Sequence, residues 1–264
     1  MDQKNIFGRK WRLSVRMLPL VLGAAALKLL FHYAGWEFLE LSALFTSLLT
    51  GTVFLLGFLL SGVLADYKES EKIPAELAAS LETMADDAET FSRGGAAPRA
   101  AELALALSGL CSSLLGWFRQ ERETPALLED LRGLNLPLGA LEGAVPVNFI
   151  VRLKQEQHNM RRLILRVHTI RRTSFIESGY AIAETLSALL FAALMFIKLD
   201  PFLESMLLVL PIAYLFICIL ALIRDLDNPF DYSGGAAAGE EVSLLELQAC
   251  AGRLAARSEA LKAK

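Results

Sequence analysis

The chain has 264 residues, of which 54% are hydrophobic, and its mean hydropathy is +0.43. A soluble domain has about 45–50% apolar residues, so the composition indicates a membrane protein. The net charge of −3 is too small to indicate a nucleic-acid partner, and the three widely spaced cysteines match neither a disulfide framework nor a zinc motif.

Four apolar runs are long enough to cross the hydrocarbon layer, which takes about 20 helical residues. They lie at roughly 18–34, 41–65, 180–197 and 206–223. Lys28, near the far end of the first run, is expected to extend toward the membrane surface. The runs predict an all-α membrane protein with four transmembrane helices. Its expected parts are 1–65 (a cytoplasmic segment and helices one and two), 66–175 (a cytoplasmic helical region), 176–232 (helices three and four) and 233–264 (a linker and a C-terminal helix).

Basic residues predict the orientation. Five precede the first run, none lies in the turn that holds Glu37 and Glu40, and five arginines end the middle segment: Arg161, Arg162, Arg166, Arg171 and Arg172. The positive-inside rule therefore places both termini and the middle segment in the cytoplasm, with the helices in the plasma (inner) membrane. The arginines are expected to be solvated or to touch anionic lipid head groups.

The middle segment has the periodicity of soluble helices. Helices are expected at 73–91 and 101–120, separated by a break at 93–99, and a long helix is expected from about 148 into the third run. The Gly- and Pro-rich stretch 131–147 predicts a loop, and 234–241 predicts a flexible linker. Three leucines one heptad apart near the C-terminus predict a packing seam: Leu247, Leu254 and Leu261.

No pattern indicates an enzyme, a metal site or a cofactor, because the sequence has no nucleophile elbow, P-loop, HExxH or dinucleotide fingerprint. Most carboxylates are expected to be solvated. Glu184, one turn into the third run, is expected either at the wet interface or facing a vestibule or partner helix. Asp66, Glu69 and Glu71, beyond the second run, are expected either in solvent or at a vestibule.

The second run has two different faces when it is projected as a helix with 100° per residue. Leucines dominate one face, and small or hydroxyl-bearing residues dominate the other: Ala43, Thr46, Ser47, Thr50, Gly57, Ser61 and Ala65, with Phe54. Small residues at one face favour close helix packing, whereas hydroxyls also suit the lining of an aqueous conduit. Both interpretations remain open from the residues alone.

Two short motifs resemble the bestrophin family. FLLGF at 54–58, in the second of four spans, resembles the aromatic neck motif, and DNPFDY at 227–232 resembles the Asn-Pro-Phe signature after the last span. The order of spans and cytoplasmic segment also agrees. The resemblance implies a homopentameric channel for chloride or other small monovalent anions, with the second spans around the axis. The acidic cluster that binds calcium in animal bestrophins is missing after Asp231, so calcium is not expected.

The resemblance and the helical projection together give the candidate site. Thr50, Phe54 and Phe58 are expected to line a constriction, with Gly57 at a close helix approach and Ser61 facing the inner vestibule. Asn228, Pro229 and Phe230 are expected to form a structural corner. The expected partners are further copies of the chain, membrane lipids and small inorganic ions. The alternatives are a cation channel of the same architecture and a non-conducting scaffold or sensor.

Overall fold

The structure is a computed structural model, and it describes residues 11–172, 177–232 and 241–262. These residues form α-helices and no β-strand. In chain order the helices are α1 (Arg12–Tyr33), α2 (Ala43–Ser70), α3 (Ile73–Arg93), α4 (Ala97–Phe118), α5 (Thr124–Gly133), α6 (Asn135–Ala140), α7 (Val147–Arg172), α8 (Glu177–Phe196), α9 (Phe202–Asp227) and α10 (Leu245–Lys262). The predicted all-α fold is thereby confirmed.

The helices belong to two compact units. Unit 1 contains residues 11–67 and 177–227, and unit 2 contains residues 68–172, 228–232 and 241–262. Each unit therefore joins segments that are far apart in the sequence.

Unit 1 is built from α1, α8, α9 and the apolar part of α2, and each of these helices is long and apolar enough to cross a membrane. Its core lies where α2, α8 and α9 meet, and the buried side chains there are Leu56, Leu59, Val63, Ala183, Leu190, Phe216, Ile223 and Leu226. Many other apolar side chains point outward, among them Leu22, Leu189 and Leu207. A large exposed apolar surface is typical of a protein that contacts lipid.

Helix α4 also has the length and composition of a membrane span, which gives five such helices among the described residues. It differs from the others in burial. Within the chain, 56% of its apolar window is buried, against 11–28% for the candidate spans of unit 1. Its leucines Leu103, Leu107 and Leu114 face the core of unit 2.

Unit 2 is built around α3, α4 and α10, with α7 packed on α3 and the short α5 and α6 beside α4. Pro74 lies in the first turn of α3, where its missing N–H has no helical partner to lose. The three leucines of the predicted seam, Leu247, Leu254 and Leu261, are all buried. A heptad spacing on one helix therefore marks the face that α10 packs against α3 and α4.

The prediction of a loop at 131–147 is wrong for the first part of this stretch. These residues complete α5, form α6 and then turn into α7. Four leucines explain the difference: Leu131, Leu134, Leu138 and Leu141 recur at helical spacing, and none is more than 1% exposed. Burial of this leucine stripe outweighs the low helix propensity of the intervening Gly and Pro residues.

Two other expectations fall partly outside the described residues. The long helix predicted from about 148 begins as α7 at Val147 and is described to Arg172, and α8 is described from Glu177. The connection between them at 173–176 is not described, and neither are residues 234–240 of the predicted linker.

Candidate conduit surface

Helix α2 separates its residues into a buried and an exposed face. The leucine-rich face packs inward, with Leu56, Leu59 and Val63 at most 2% exposed and Leu49, Leu55 and Leu60 partly buried against the same cluster. Leu48, expected on this face, is instead 47% exposed. The opposite face is exposed in the single chain along its whole length, and its members include Thr46, Ser47, Thr50, Phe54, Gly57, Phe58 and Ser61.

Two phenyl rings stand out on the exposed face. Phe54 is 76% exposed and Phe58 is 64% exposed. A Cβ added at Gly57, between them, would meet no atom within 4 Å. The single chain therefore leaves both rings and the glycine free to contact lipid, water or another copy of the chain.

The hydroxyl groups of this face bond to their own helix. Ser47 Oγ donates to Ala43 O at 2.9 Å, and Thr50 Oγ1 donates to Thr46 O at 2.8 Å. Thr46 makes the same kind of bond to Ser42 O at 3.2 Å. Each hydroxyl has one proton, so these groups present their lone pairs, as acceptors, to whatever lies beside the helix.

Two of the candidate vestibule carboxylates, Glu69 and Glu184, bind arginines. Glu69 accepts a bond from Arg166 at 3.2 Å within unit 2, and Glu184 accepts one from Arg224 of α9 at 2.6 Å within unit 1. Both pairs are well exposed, so each contributes little to stability. Asp66 is half-buried in unit 1. The pairing offsets the negative charge that these groups would bring to a vestibule.

A buried charged cluster joins α1 to the end of α8, and the sequence analysis did not predict it. Lys28 is fully buried, and its Nζ contacts Glu37 Oε1 at 2.7 Å. The same Nζ donates to two backbone carbonyls, Met195 O at 3.2 Å and Ile197 O at 2.5 Å. Lys28 is therefore held by groups inside unit 1 and does not reach solvent within the single chain. The ammonium binds carbonyls at the end of α8 that have no partner within that helix.

Glu37 is held in the same cluster rather than left in solvent. Its second oxygen lies 2.8 Å from His32 Nδ1, and its side chain is only 7% exposed. Burial raises the pKa of the Glu37 carboxyl, but the hydrogen bonds from His32 and Lys28 and their charges outweigh burial, and the net shift is downward. A lysine and a histidine four residues apart on α1, followed by a glutamate in the next turn, are the sequence signal for this cluster.

The chain after α9 enters the core of unit 2. Phe230 is fully buried, and its ring centroid lies 5.7 Å from that of Phe118. The backbone on either side is also held, because Val242 N donates to Pro229 O at 3.0 Å and Tyr232 donates to Val242 O at 2.8 Å. Phe230 is therefore part of the core of unit 2, and the structural corner at residues 228–230 stays a prediction.

Arg171 holds this corner rather than standing in solvent. Its guanidinium donates to Trp117 O at 3.2 Å, Phe118 O at 3.0 Å and Phe230 O at 3.4 Å, and it lies over the Trp117 ring at 4.7 Å. Burial lowers the pKa of Arg171, against the opposing effect of Tyr232 and Asp231. The expectation that this arginine is solvated or binds lipid head groups is wrong, because the last carbonyls of α4 need a donor.

No group of three or more His, Cys, Asp or Glu side chains in the described ranges is arranged to hold a metal ion. Two adjacent carboxylates of α3, Asp86 and Asp87, also bind arginines of two different helices. Asp86 pairs with Arg257 of α10, and Asp87 pairs with Arg152 of α7. They therefore join helices rather than form a catalytic dyad.

Comparison with known proteins identifies the fold. No family model matches the chain, and no curated protein matches it. A mutant crystal structure of a bacterial bestrophin homolog from Klebsiella pneumoniae superimposes with a TM-score of 0.76 at 14% identity, over 94% of this chain and 100% of that one. Another mutant of that homolog gives 0.70 at 15% identity, over 97% and 99%. A mutant membrane protein gives 0.76 at 15% identity, over 92% and 98%.

The class of the protein is thus an all-α membrane protein with several apolar helices. Its particular fold is that of the bacterial bestrophin homologs, which confirms the resemblance that FLLGF and DNPFDY indicated.

Proposed function

We propose that the protein is a passive ion channel whose conduit is lined by the exposed face of α2 from several copies of the chain. The observation that supports this is that one face of α2 is buried and the opposite face is exposed. Its leucine face packs against α8 and α9. The residues that remain exposed in the single chain are Thr50, Phe54, Gly57, Phe58 and Ser61. A membrane anchor needs no such polar and aromatic face, whereas a conduit does.

The proposed assembly is a ring of five. One helix presents only one face and cannot enclose a conduit, so several copies must bring these faces together. Closed cyclic symmetry is the usual solution for identical subunits, and the number five comes from the bestrophin resemblance. A mass measurement in mild detergent is expected to give five chains. A protein that is only monomeric or dimeric would instead support the scaffold or sensor.

Two candidate ions are each favoured by a specific feature. Chloride and other small monovalent anions are the first candidate, because the positive edge of a phenyl ring at Phe54 and Phe58 can face a weakly hydrated anion. Monovalent cations are the second candidate. The hydroxyls of Thr46, Ser47 and Thr50 donate to the helix backbone and offer only lone pairs to the conduit, and lone pairs stabilise cations.

The decisive experiment is ion flux from liposomes that contain the purified protein, with chloride and potassium gradients imposed separately. Flux driven by only one gradient identifies the sign of the ion. Absence of flux under both gradients, from a correctly assembled ring, would refute the channel.

The pore lining is tested by Phe54→Ala, with Phe45→Ala as the matched control. Phe45 lies nine residues earlier on the same helix, about 180° around it, and it packs partly buried against the apolar clusters of unit 1. Shrinking Phe54 is expected to widen and wet the constriction and raise flux per assembled channel. Phe45→Ala is expected to lower stability with unchanged flux per channel. The reverse pattern would mean that the other face of α2 lines the conduit.

The proposed inner membrane location, with both termini in the cytoplasm, rests on the distribution of basic residues. Its test is labelling of single cysteines from outside intact cells. A cysteine at Trp36 is expected to react, and a cysteine at Gly94 is expected to be protected.

A further inference from the structure

The C-terminal helix α10 is docked on unit 2 by apolar and charged contacts. Leu247, Leu254 and Leu261 are buried beneath it. Above this seam, Arg253 binds Glu82 of α3 at 2.5 Å and Arg257 binds Asp86 of α3 at 2.5 Å. Both ion pairs are partly exposed to solvent, so the apolar seam dominates the docking energy.

Two of the three cysteines meet beneath this helix. Cys111 of α4 and Cys250 of α10 are free thiols that are both fully buried, and their side chains are close enough for each to shift the pKa of the other. Each sulfur also lies near a backbone carbonyl. Cys111 Sγ is 3.8 Å from Leu247 O, one turn before Cys250 on α10, and Cys250 Sγ is 3.7 Å from Ala78 O of α3.

The contact makes the two thiols unequal. The neighbouring Cys250 side chain lowers the pKa of Cys111, more than burial and the charge of Glu82 raise it. The Cys111 side chain, together with burial, raises the pKa of Cys250. Two neighbouring thiols of unequal pKa, with the lower pKa on Cys111, are the arrangement of an attacking and a resolving cysteine.

We propose that Cys111 and Cys250 are a reversible redox site, in which hydrogen peroxide converts the two thiols to a disulfide that locks α10 onto α4. The Cys111 sulfur attacks the peroxide oxygen, breaks the O–O bond and becomes a sulfenic acid, and one water leaves. The Cys250 sulfur then attacks the Cys111 sulfur and displaces its hydroxyl as a second water. The thiols lose two electrons to the peroxide, and a dithiol reductant reverses the change.

Access to the site requires movement of α10, because both sulfurs are shielded while the helix is docked. Cys111 is therefore oxidised while α10 is open, and the disulfide forms when α10 docks again and then keeps the helix closed. This links the position of the C-terminal helix to oxidant level. The proposal is independent of which ion the protein conducts.

The test uses purified full-length protein in detergent, treated with hydrogen peroxide, then denatured, alkylated and digested with trypsin. Mass spectrometry is expected to find the peptides 100–119 and 225–253 joined, with Cys218 still alkylated and the joined species released by dithiothreitol. Recovery of both peptides separately alkylated, or a bond from either cysteine to Cys218 or to another chain, would overturn the proposal.

Variants test the chemistry and the access step. Cys218→Ser is expected to keep the joined peptides, and Cys250→Ser is expected to leave Cys111 oxidised without a partner. Neutralising both docking arginines, with Arg253→Gln and Arg257→Gln, is expected to raise the oxidation rate several-fold. The control is Arg132→Gln, which breaks an exposed pair with Glu129 elsewhere in unit 2. Equal rates in the arginine double variant and the control would overturn movement of α10 as the route of access.

Discussion

Replacing Lys28 by Met tests the buried cluster between α1 and the end of α8. Met keeps the length and most of the volume of the side chain but removes the ammonium. Glu37 then remains as a carboxylate that is 7% exposed with only His32 as partner, and the carbonyls of Met195 and Ile197 lose their donor. The substitution therefore leaves one charge with a single remaining partner and two acceptors without a donor.

The expected cost follows from this geometry. Removing one partner of a buried ion pair costs about 3–5 kcal/mol. His32 still bonds to Glu37 and is 37% exposed, so water can approach the carboxylate from that side, and we expect the low end, about 3 kcal/mol. For a chain of this size that corresponds to a fall of roughly 6–12 °C in the unfolding midpoint.

The assay is thermal unfolding in detergent of four proteins: the parent, Lys28→Met, Glu37→Gln and the double variant. The double variant removes both charges, so it is expected to be more stable than Lys28→Met by about 1 kcal/mol or more. Lys198→Met is the control, because its pair with Asp200 is exposed on both sides, and its cost is expected to stay within about 0.5 kcal/mol. If Lys28→Met costs no more than Lys198→Met, or the double variant shows no recovery, the reasoning is refuted.

Three further predictions concern the same units. The parent is expected to have a higher unfolding midpoint than Glu37→Gln at pH 7. This difference is expected to disappear as the pH falls below about 4.3, the usual pKa of Glu, because the folded state lowers the pKa of this carboxyl. Phe230→Ala is expected to lower the free energy of unfolding of unit 2 by about 3 kcal/mol or more and to loosen assembly. The measurements are thermal unfolding and the size of the assembled protein in detergent. Normal assembly with altered ion selectivity would contradict the structural role of Phe230. Arg171→Lys is expected to lower the unfolding midpoint, because one ammonium does not reproduce the planar donor set that reaches three carbonyls, and an unchanged midpoint would contradict this role.

The sequence predicts those features that depend on local patterns. The apolar runs match α1, α2, α8 and α9 because a bilayer fixes the length of a spanning helix. The division of α2 into a leucine face and a small face is largely confirmed because a helix keeps its period. The seam of Leu247, Leu254 and Leu261 is buried for the same reason.

The sequence does not predict features whose partners are distant in the chain. Lys28 bonds to Met195 and Ile197, which are 167 and 169 residues away, and only folding reveals that the end of α8 needs a donor there. Arg171 donates to the carbonyls of Phe118 and Trp117 at the end of α4, which lie 53 and 54 residues earlier in the chain. These bonds keep its guanidinium out of solvent. At 131–147 the information is local but conflicting, because the Gly and Pro residues predict a loop whereas the spacing of four leucines predicts a buried helical face, and burial of the leucines decides.

The two adjacent carboxylates of α3 make that helix sensitive to the insertion or deletion of a single residue. Asp86 faces Arg257 and Asp87 faces Arg152, on different neighbouring helices, because consecutive residues diverge by about 100°. Inserting or deleting one residue earlier in α3 would turn both carboxylates by that angle and detach them from both arginines at once. Single-residue insertions between 75 and 85 are therefore expected to be tolerated far less well than substitutions at the exposed positions 75, 76 and 79.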